Sequence, residues 1–261
     1  MGLLSCFKRS ASNSGDWVIE YAKTPAVQWQ GTVATIRNVR NFTYITRDDT
    51  VPAYYDASYD VDDLSSVDLV VSRWAGEAVA HVFLTFGFGS GQRLAVSIET
   101  RRVKGQVYSK FGGFVRNYAL IYVAADERDL IGVRTDIRKE RVYLYPLDAP
   151  LDIARVVLTG YLDRIEKLNE HPEFYHTLFN NCTTNIIRHA QAAHPKIGYH
   201  WKILLSGYAD HYAYEQGLLN DDGLGFDELK RKCLIRRPPG ATIGADFSHQ
   251  IRDGYDARKV V

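Results

Sequence analysis

Ala78-Val-Ala-His-Val-Phe-Leu-Thr-Phe-Gly-Phe88, followed by Gly89-Ser-Gly91 and then Arg93-Leu-Ala-Val-Ser-Ile-Glu99, decides the fold. The first run is compact and apolar, the glycines signal a turn, and the second run alternates in character, so together they predict a β-hairpin with its tip near Ser90. A period of two puts His81 on the face of Val79 and Phe83. An odd-numbered loop centred on Ser90 pairs positions equidistant from it, and His81 then faces Glu99. A two-residue turn sends Glu99 to the opposite face instead, and the sequence leaves both registers open.

Upstream of the hairpin, Val67-Asp-Leu-Val-Val-Ser72 reads as a buried strand, and the Trp-, Tyr-, Thr- and Val-rich segment from Asp16 to Tyr59 as short strands or an extended arm. Downstream, Tyr118 to Ala125 and Arg141-Val-Tyr-Leu-Tyr145 are further strands, separated by the charged stretches Asp126-Glu-Arg-Asp129 and Asp136-Ile-Arg-Lys-Glu140. Pro150 suits a first helical position, and Leu151, Ala154, Leu158, Leu162, Ile165 and Leu168 recur at helical spacing up to His171-Pro172. A second helix begins near Cys182, runs through Ile186, Ile187 and Ala190, and is limited by Pro195. The pattern predicts an α+β fold, an antiparallel sheet with packed helices. Its expected divisions are a flexible segment 1–15, a single domain 16–235, and a peripheral or partly disordered tail 236–261.

Composition narrows the function. The chain of 261 residues is long enough to bury a core, and 46% hydrophobic with 24% charged residues is globular rather than disordered or fibrous. Thirty-two Lys+Arg against 31 Asp+Glu leave a net charge of +1, which argues against a nucleic-acid partner. No run approaches the ~18 apolar residues of a spanning helix. Met1-Gly-Leu-Leu-Ser-Cys6 resembles a lipobox without the charged and apolar regions that precede one, and it misses a myristoylation signal at Cys6. A truncated precursor would explain that; the reading adopted is an unstructured start up to Gly15. Cys6, Cys182 and Cys233 form no CxxC pair, so neither a disulfide framework nor a cysteine zinc site is implied. His171, His176, His189 and His194 lack an HExxH spacing and a ligand-spaced carboxylate, so they are expected mostly on the surface and no metal is expected. Gly87 to Gly91 lacks the Lys-Ser/Thr of a phosphate loop and is a turn, and no cofactor is implied.

The chemistry centres on Phe179-Asn-Asn-Cys-Thr-Thr-Asn185. A cysteine at a helix N-terminus feels unsatisfied N–H groups and the positive end of the macrodipole, both of which favour thiolate. The polar turn around Cys182 suits capping or catalysis better than apolar packing, whereas Cys6 and Cys233 sit in a ragged terminus and beside a basic run, and are incidental. A thiolate needs a base, and none is local, so the fold must supply a distant histidine. If the odd register holds, His81 is that group, and Glu99 fixes its tautomer and stabilises its imidazolium, the third-member role in a Cys-His-acid system. Arg101-Arg102, beyond Glu99, faces a carboxylate or lipid phosphate, or is a solvated strand end.

His81, Ser97-Ile-Glu-Thr-Arg101, Tyr118 to Asp129 and Asn180-Asn-Cys-Thr-Thr184 together resemble the Lnb N-terminal periplasmic domain family. Asn38-Val-Arg-Asn-Phe42, Arg141-Val-Tyr-Leu-Tyr-Pro146 and Trp201-Lys-Ile-Leu-Leu-Ser-Gly-Tyr208 look like further blocks of it, extending the likeness from Asp16 to Leu219. The resemblance implies a bacterial cell-envelope protein at the periplasmic face of the inner membrane. It also implies a thiol acyltransferase moving a fatty acyl chain from phospholipid to a lipoprotein's N-terminal amine. The order His, acid, Cys resembles permuted papain-like enzymes, of the NlpC and lecithin retinol acyltransferase type. In that reading Cys182 is the nucleophile, His81 base and acid, and Glu99 its orienter, while Asn181, Thr183 and Arg101 are oxyanion or substrate-binding candidates. The partners are a phospholipid donor, a lipoprotein or amine acceptor and a membrane surface, with Tyr208, Tyr212 and Tyr214 expected as an interfacial patch or as ordinary packing. Relatives generally carry an N-terminal membrane-targeting segment, for which only the short start stands here. The same residues also suit a cysteine peptidase or amidase on cell-wall peptide, and a non-catalytic envelope domain would keep Cys182 and His81 as packed core.

Overall fold

A computed structural model describes residues 11–106, 118–176, 179–193, 206–238 and 240–253. Expectations for Cys6, His194, Pro195 and most of the Trp201–Tyr208 block lie outside the described residues. The fold is α+β. An eight-stranded, mostly antiparallel sheet is built from β1 (Ala26–Gln30), β2 (Val33–Arg40), β5 (Tyr54–Asp60), β6 (Leu64–Ala75), β7 (Val79–Phe88), β8 (Arg93–Arg101), β9 (Ala119–Ala125) and β10 (Arg141–Pro146). Its order is β1-β2-β9-β8-β7-β6-β10, with β5 on the other side of β2, while β3 (Thr43–Tyr44) and β4 (Thr50–Val51) form a separate ribbon. Arg40 pairs in parallel with Ala125, the junction that makes the sheet mixed.

The hairpin takes the odd register. Phe88 N–H donates to the Gln92 carbonyl (3.1 Å) and Gly91 N–H to the Phe88 carbonyl (2.9 Å), so the loop is Gly89-Ser90-Gly91. Gly91 has φ +85°, a left-handed conformation that glycine adopts without a Cβ penalty, as a three-residue hairpin loop requires. Leu84 therefore pairs with Val96 and Phe86 with Leu94, each pair equidistant from Ser90.

Alternation along these strands divides the molecule into layers. Val82, Leu84, Phe86, Leu94, Val96 and Ile98 face α2 (Leu151–Glu170) and α3 (Cys182–Ala193), with α4 (Ala209–Glu215) and α5 (Phe226–Cys233) beside them. Phe83 and Ala95 face the opposite layer, where Leu130 and Ile131 of α1 (Glu127–Gly132) pack with Phe247 of α6 (Phe247–Gln250). In α2 the buried stripe is Ala154, Val157, Leu158, Tyr161, Leu162, Ile165 and Leu168. Pro150 stands one position earlier than expected, as the N-cap, and Pro172 disfavours helical backbone at His171, where α2 ends. No helix among the described residues is long and apolar enough to cross a membrane.

The charged stretch Asp126 to Asp129 between the strands is folded inward: Asp126 caps α1 by accepting from Arg128 N–H (3.0 Å), and Glu127 and Asp129 are buried. Burial is tolerable because each carboxylate is paired, Glu127 with Arg252 (2.6 Å) and Asp129 with Arg40 (2.8 Å). His189 is half-buried and departs from the surface placement expected of most of the four histidines. Its ring lies tilted against Tyr161 with centroids 4.4 Å apart and bonds the Tyr122 hydroxyl at 3.1 Å, and burial, with Arg164 and Arg188 nearby, pushes its pKa down to about 4. The tail from Arg236 runs as a strap whose Phe247 and Arg252 are buried, Arg252 bridging Glu127 and Asp68.

Gly207 makes a close approach just before α4. Its N–H donates to the Ala78 carbonyl, and a Cβ there would lie within 2.8 Å of three backbone atoms of Glu77 and Ala78. Gly207→Ala is expected to push this connection off the start of β7 and to destabilise by ~1–3 kcal/mol, as overpacking does. Thermal unfolding measures it, and an unchanged midpoint would contradict the close contact.

Candidate active site

Helix α3 starts at Cys182 because Asn181 and Thr184 cap each other: the Asn181 Oδ1 accepts from Thr184 N–H (2.7 Å), and the Thr184 Oγ1 accepts from Asn181 N–H (2.9 Å). The side-chain oxygen of Asn181 is thus committed to the helix end. Thr183 is buried, its Oγ1 3.8 Å from the Cys182 sulfur.

The helix end meets the sheet where the hairpin comes apart. The β7–β8 ladder runs from Gly87↔Arg93 to Leu84↔Val96 and stops, although β7 stays paired with β6 to Val79 and β8 with β9 to Arg101. Phe88 N–H points toward β8, so by alternation Val82 N–H also does. It faces the gap, where the Val82 backbone acts on the Cys182 thiol and helps to lower its pKa. The opening therefore sets a backbone dipole beside the sulfur.

His81 lines the same opening. Its Nε2 lies 2.6 Å from Ser97 Oγ and 3.1 Å from Glu99 Oε1, and Ser97 Oγ donates onward to Glu99 Oε1 (2.7 Å). Ser97 must then accept from His81, which places a proton on Nε2, while Cys182 also acts on the ring and helps to raise its pKa. Glu99 Oε1 also accepts from Arg134 Nη2 (2.9 Å), whose Nη1 is anchored on the Leu130 carbonyl (2.7 Å). Arg134 belongs to a π-helical turn, Val133–Ile137, that continues α1.

Electrostatics follow from this row. Burial opposes charge on His81, but the Glu99 carboxylate and the Cys182 contact outweigh it and raise the imidazole to about 9. Burial likewise opposes ionisation of Glu99, yet His81, Arg134 and Ser97 hold it well below the usual carboxylate range. Burial pushes the Cys182 thiol up, and His81, the Val82 backbone and Thr183 pull it down further, for a net lowering. The arrangement favours the thiolate of Cys182 beside an imidazolium.

Two spaces flank it. An apolar cavity of about 370 Å³ lies between the sheet and α2, α3 and α4, with Val82, Thr183, Ile187, Val157 and Tyr212 among its walls. A polar cleft of about 660 Å³ is lined by His81, Glu99 and Arg134. The structure thus brings His81, Glu99, Cys182, Thr183 and Asn181 together but places Arg101 elsewhere. Arg101 is buried and donates to the Tyr21 and Ala22 carbonyls (3.0 and 3.3 Å) and to Asn13 Oδ1 (3.1 Å), tying down the N-terminal segment, while Arg102 lines the cleft. Tyr212 is a buried cavity wall and Tyr214 donates to the Leu224 carbonyl (3.0 Å), so these two pack inward and do not form an exposed patch. Cys233 is buried in the core.

Sequence reading missed Ser97 and Arg134. Ser97 shares a strand face with Glu99 two positions on, a signal that period two makes visible. Nothing local marks Arg134, whose partner is 35 positions away. Among the described residues no group of His, Cys, Asp and Glu is arranged to hold a metal ion.

No curated protein and no solved structure matches the chain. Residues 50–209, more than half of it and including His81, Ser97, Glu99, Arg134 and Cys182, match one family, and the chain belongs to that family, the Lnb N-terminal periplasmic domain.

Proposed function

We propose that this protein is a cell-envelope thiol acyltransferase that moves a fatty acyl chain from phospholipid to a lipoprotein's N-terminal amine through a Cys182 acyl-thioester. The observation that carries the reading is the apolar cavity beside the thiolate site. Its wall includes Val82, whose backbone helps to lower the Cys182 thiol, and Thr183, the residue after Cys182. Its volume of about 370 Å³ is in the range of ligand sites, roughly 300–1,000 Å³, and its lining suits a hydrocarbon chain.

In the first half-reaction the Cys182 thiolate attacks the ester carbonyl. As the C–O bond breaks, the lysophospholipid alkoxide takes a proton from the His81 imidazolium. In the second, the acceptor's neutral amine attacks the thioester, its proton passes to His81, and the C–S bond breaks to return the thiolate. Glu99, held by Ser97 and Arg134, keeps the ring oriented through both steps, and the Val82 N–H with the α3 N-terminus stabilises the anionic centre. We infer a permuted papain-like core, which the order His81, Glu99, Cys182 and the helix-end thiol against the histidine strand support. The family's name places its domain in the periplasm, and action at the envelope membrane surface fits a lipid donor.

Intact mass after incubation with phospholipid vesicles tests this. The expected result is an acyl-sized adduct on wild type, absent from Cys182→Ala and removed by neutral hydroxylamine. Lysophospholipid release is measured alongside, so that rapid thioester hydrolysis still registers. Folded, vesicle-bound protein giving neither adduct nor lysophospholipid overturns the reading, and cleavage of muropeptides by the same sample would install the amidase in its place.

A further inference from the structure

The polar cleft beside His81 carries more positive charge than the row of reacting groups uses. Three of its cations are neutralised: Arg134 on Glu99 (2.9 Å), Arg73 on Asp210 (2.8 Å) and Arg141 on Glu77 (2.6 Å). Four others line it. Arg47 donates to the Arg138 carbonyl (2.9 Å), a contact without counter-charge, and Arg138 approaches Glu140 no closer than 4.0 Å. The side chains of Arg102 and Lys139 have no hydrogen bond or ion pair among the described residues. Lys139 also holds φ +55°, an uncommon backbone state for a side chain of its kind, in a turn closed by Arg138 N–H on the Val133 carbonyl and Glu140 N–H on the Arg134 carbonyl (both 2.9 Å). The turn that positions Arg134 against Glu99 thus also presents Arg138 and Lys139 to the cleft.

The chain as a whole has a net charge of only +1, so this concentration is local. Like charges gathered in one concave wall repel each other, and the cost is offset when an anion enters, because such a cleft focuses its potential on the ligand. Arginine forks suit phosphate oxygens in particular. The cleft adjoins His81, so an anion bound there is joined to the reacting ester and is not remote from it.

Resting on the acyl-transfer reading above, we propose that this cleft receives the phosphodiester headgroup of the acyl donor and selects an anionic, glycerol-headed phospholipid over one whose headgroup carries an ammonium. A glycerol head brings hydroxyls to Arg47, Arg102, Arg138 and Lys139. An ethanolamine head brings a cation against them.

The test is an internal competition on the full chain. Vesicles contain equal phosphatidylglycerol and phosphatidylethanolamine, each with acyl chains of a different mass, so surface charge is common to both donors and the mass on Cys182 reports the headgroup chosen. The expected result is an excess of the phosphatidylglycerol chain by about tenfold or more. It should fall toward unity in Arg102→Gln/Lys139→Gln and at high salt, where exposed charges are screened. Equal labelling by wild type overturns the headgroup proposal and leaves acyl transfer standing. If no adduct forms from either lipid, calorimetry with soluble glycerophosphoglycerol, glycerophosphoethanolamine and inorganic phosphate reads the cleft directly. Binding of glycerophosphoglycerol that the double variant loses supports the headgroup site even then. Equal binding of all three marks a free-phosphate site, and tighter binding of a muramyl peptide marks a peptide carboxylate site. Either of those results, or no binding at all, overturns the proposal.

Discussion

Replacing His81 with alanine will slow alkylation of Cys182 at pH 7 by about tenfold or more and move its pH dependence upward. An ordinary thiol, with a pKa of ~8.5, is only a few per cent thiolate at pH 7. With His81 present, its contact more than offsets burial and the thiol is pulled below its ordinary value. Without it, burial acts with little opposition and pushes the other way, so the variant has less thiolate than a free cysteine. An acidic thiolate is intrinsically the weaker nucleophile, with a Brønsted slope of ~0.4–0.5, which trims the advantage without reversing it. The measurement is iodoacetamide modification from pH 5 to 10, read at the Cys182 peptide so that Cys6 and Cys233 are scored separately. Wild type should reach its plateau well before an ordinary cysteine does. A profile that is the same in both proteins would mean a packed, inert thiol and support the non-catalytic reading.

The same pair sets an upper limb on acylation. The imidazole is raised above its ordinary ~6.5 to about 9, so its charged state and its ion pair with Glu99 are fully present below ~6.5 and are lost as pH rises through about 9. Proton donation to the leaving alkoxide fades over that interval. Glu99 is held low and remains ionised throughout, so the limb belongs to His81.

Asp129→Ala should destabilise the fold by ~3–5 kcal/mol, the usual cost of leaving a buried charge without its partner. Asp129 is fully buried and accepts from Arg40 Nε (3.0 Å) and Nη2 (2.8 Å), from Phe42 N–H (2.7 Å) and from the Tyr44 hydroxyl (3.2 Å). Arg40 in turn sits at the parallel junction of β2 with β9, where its carbonyl also accepts from Asp126 N–H (2.9 Å). One carboxylate therefore clamps the strands on the N-terminal side of the sheet to the strand beside β8. At ~2–4 °C per kcal/mol for a chain of this order, the midpoint of thermal unfolding should drop by roughly 6–20 °C. Asp129→Asn keeps an acceptor and should cost less. Replacing both partners, Arg40→Met with Asp129→Leu, should recover part of the loss, because the uncompensated charge goes while the Phe42 and Tyr44 donors stay unpaired. A loss below ~1 kcal/mol in Asp129→Ala would show that water reaches Arg40 and that the clamp is weaker than its geometry indicates.

What the sequence by itself determined is local. Strand alternation puts Ser97 and Glu99 on one face, the Gly89-Ser90-Gly91 turn puts a hairpin tip near Ser90 with either register open, and the polar turn around Cys182 marks a helix starting near that residue. These features depend on neighbours a few positions apart, where backbone sterics and periodicity act without the rest of the chain. Only the tertiary structure decided that β7 and β8 part beyond Leu84, that the Val82 backbone comes to act on the sulfur, and that Arg134 reaches Glu99 from the far layer. Nothing near the charged stretch around Asp126 shows that Arg40 and Arg252, remote in the chain, pair with its carboxylates in the core. The apolar cavity and the cationic cleft are likewise spaces between elements. No single segment encodes a space, because its walls come from strands and helices that meet only after loop closure and burial have been paid for together.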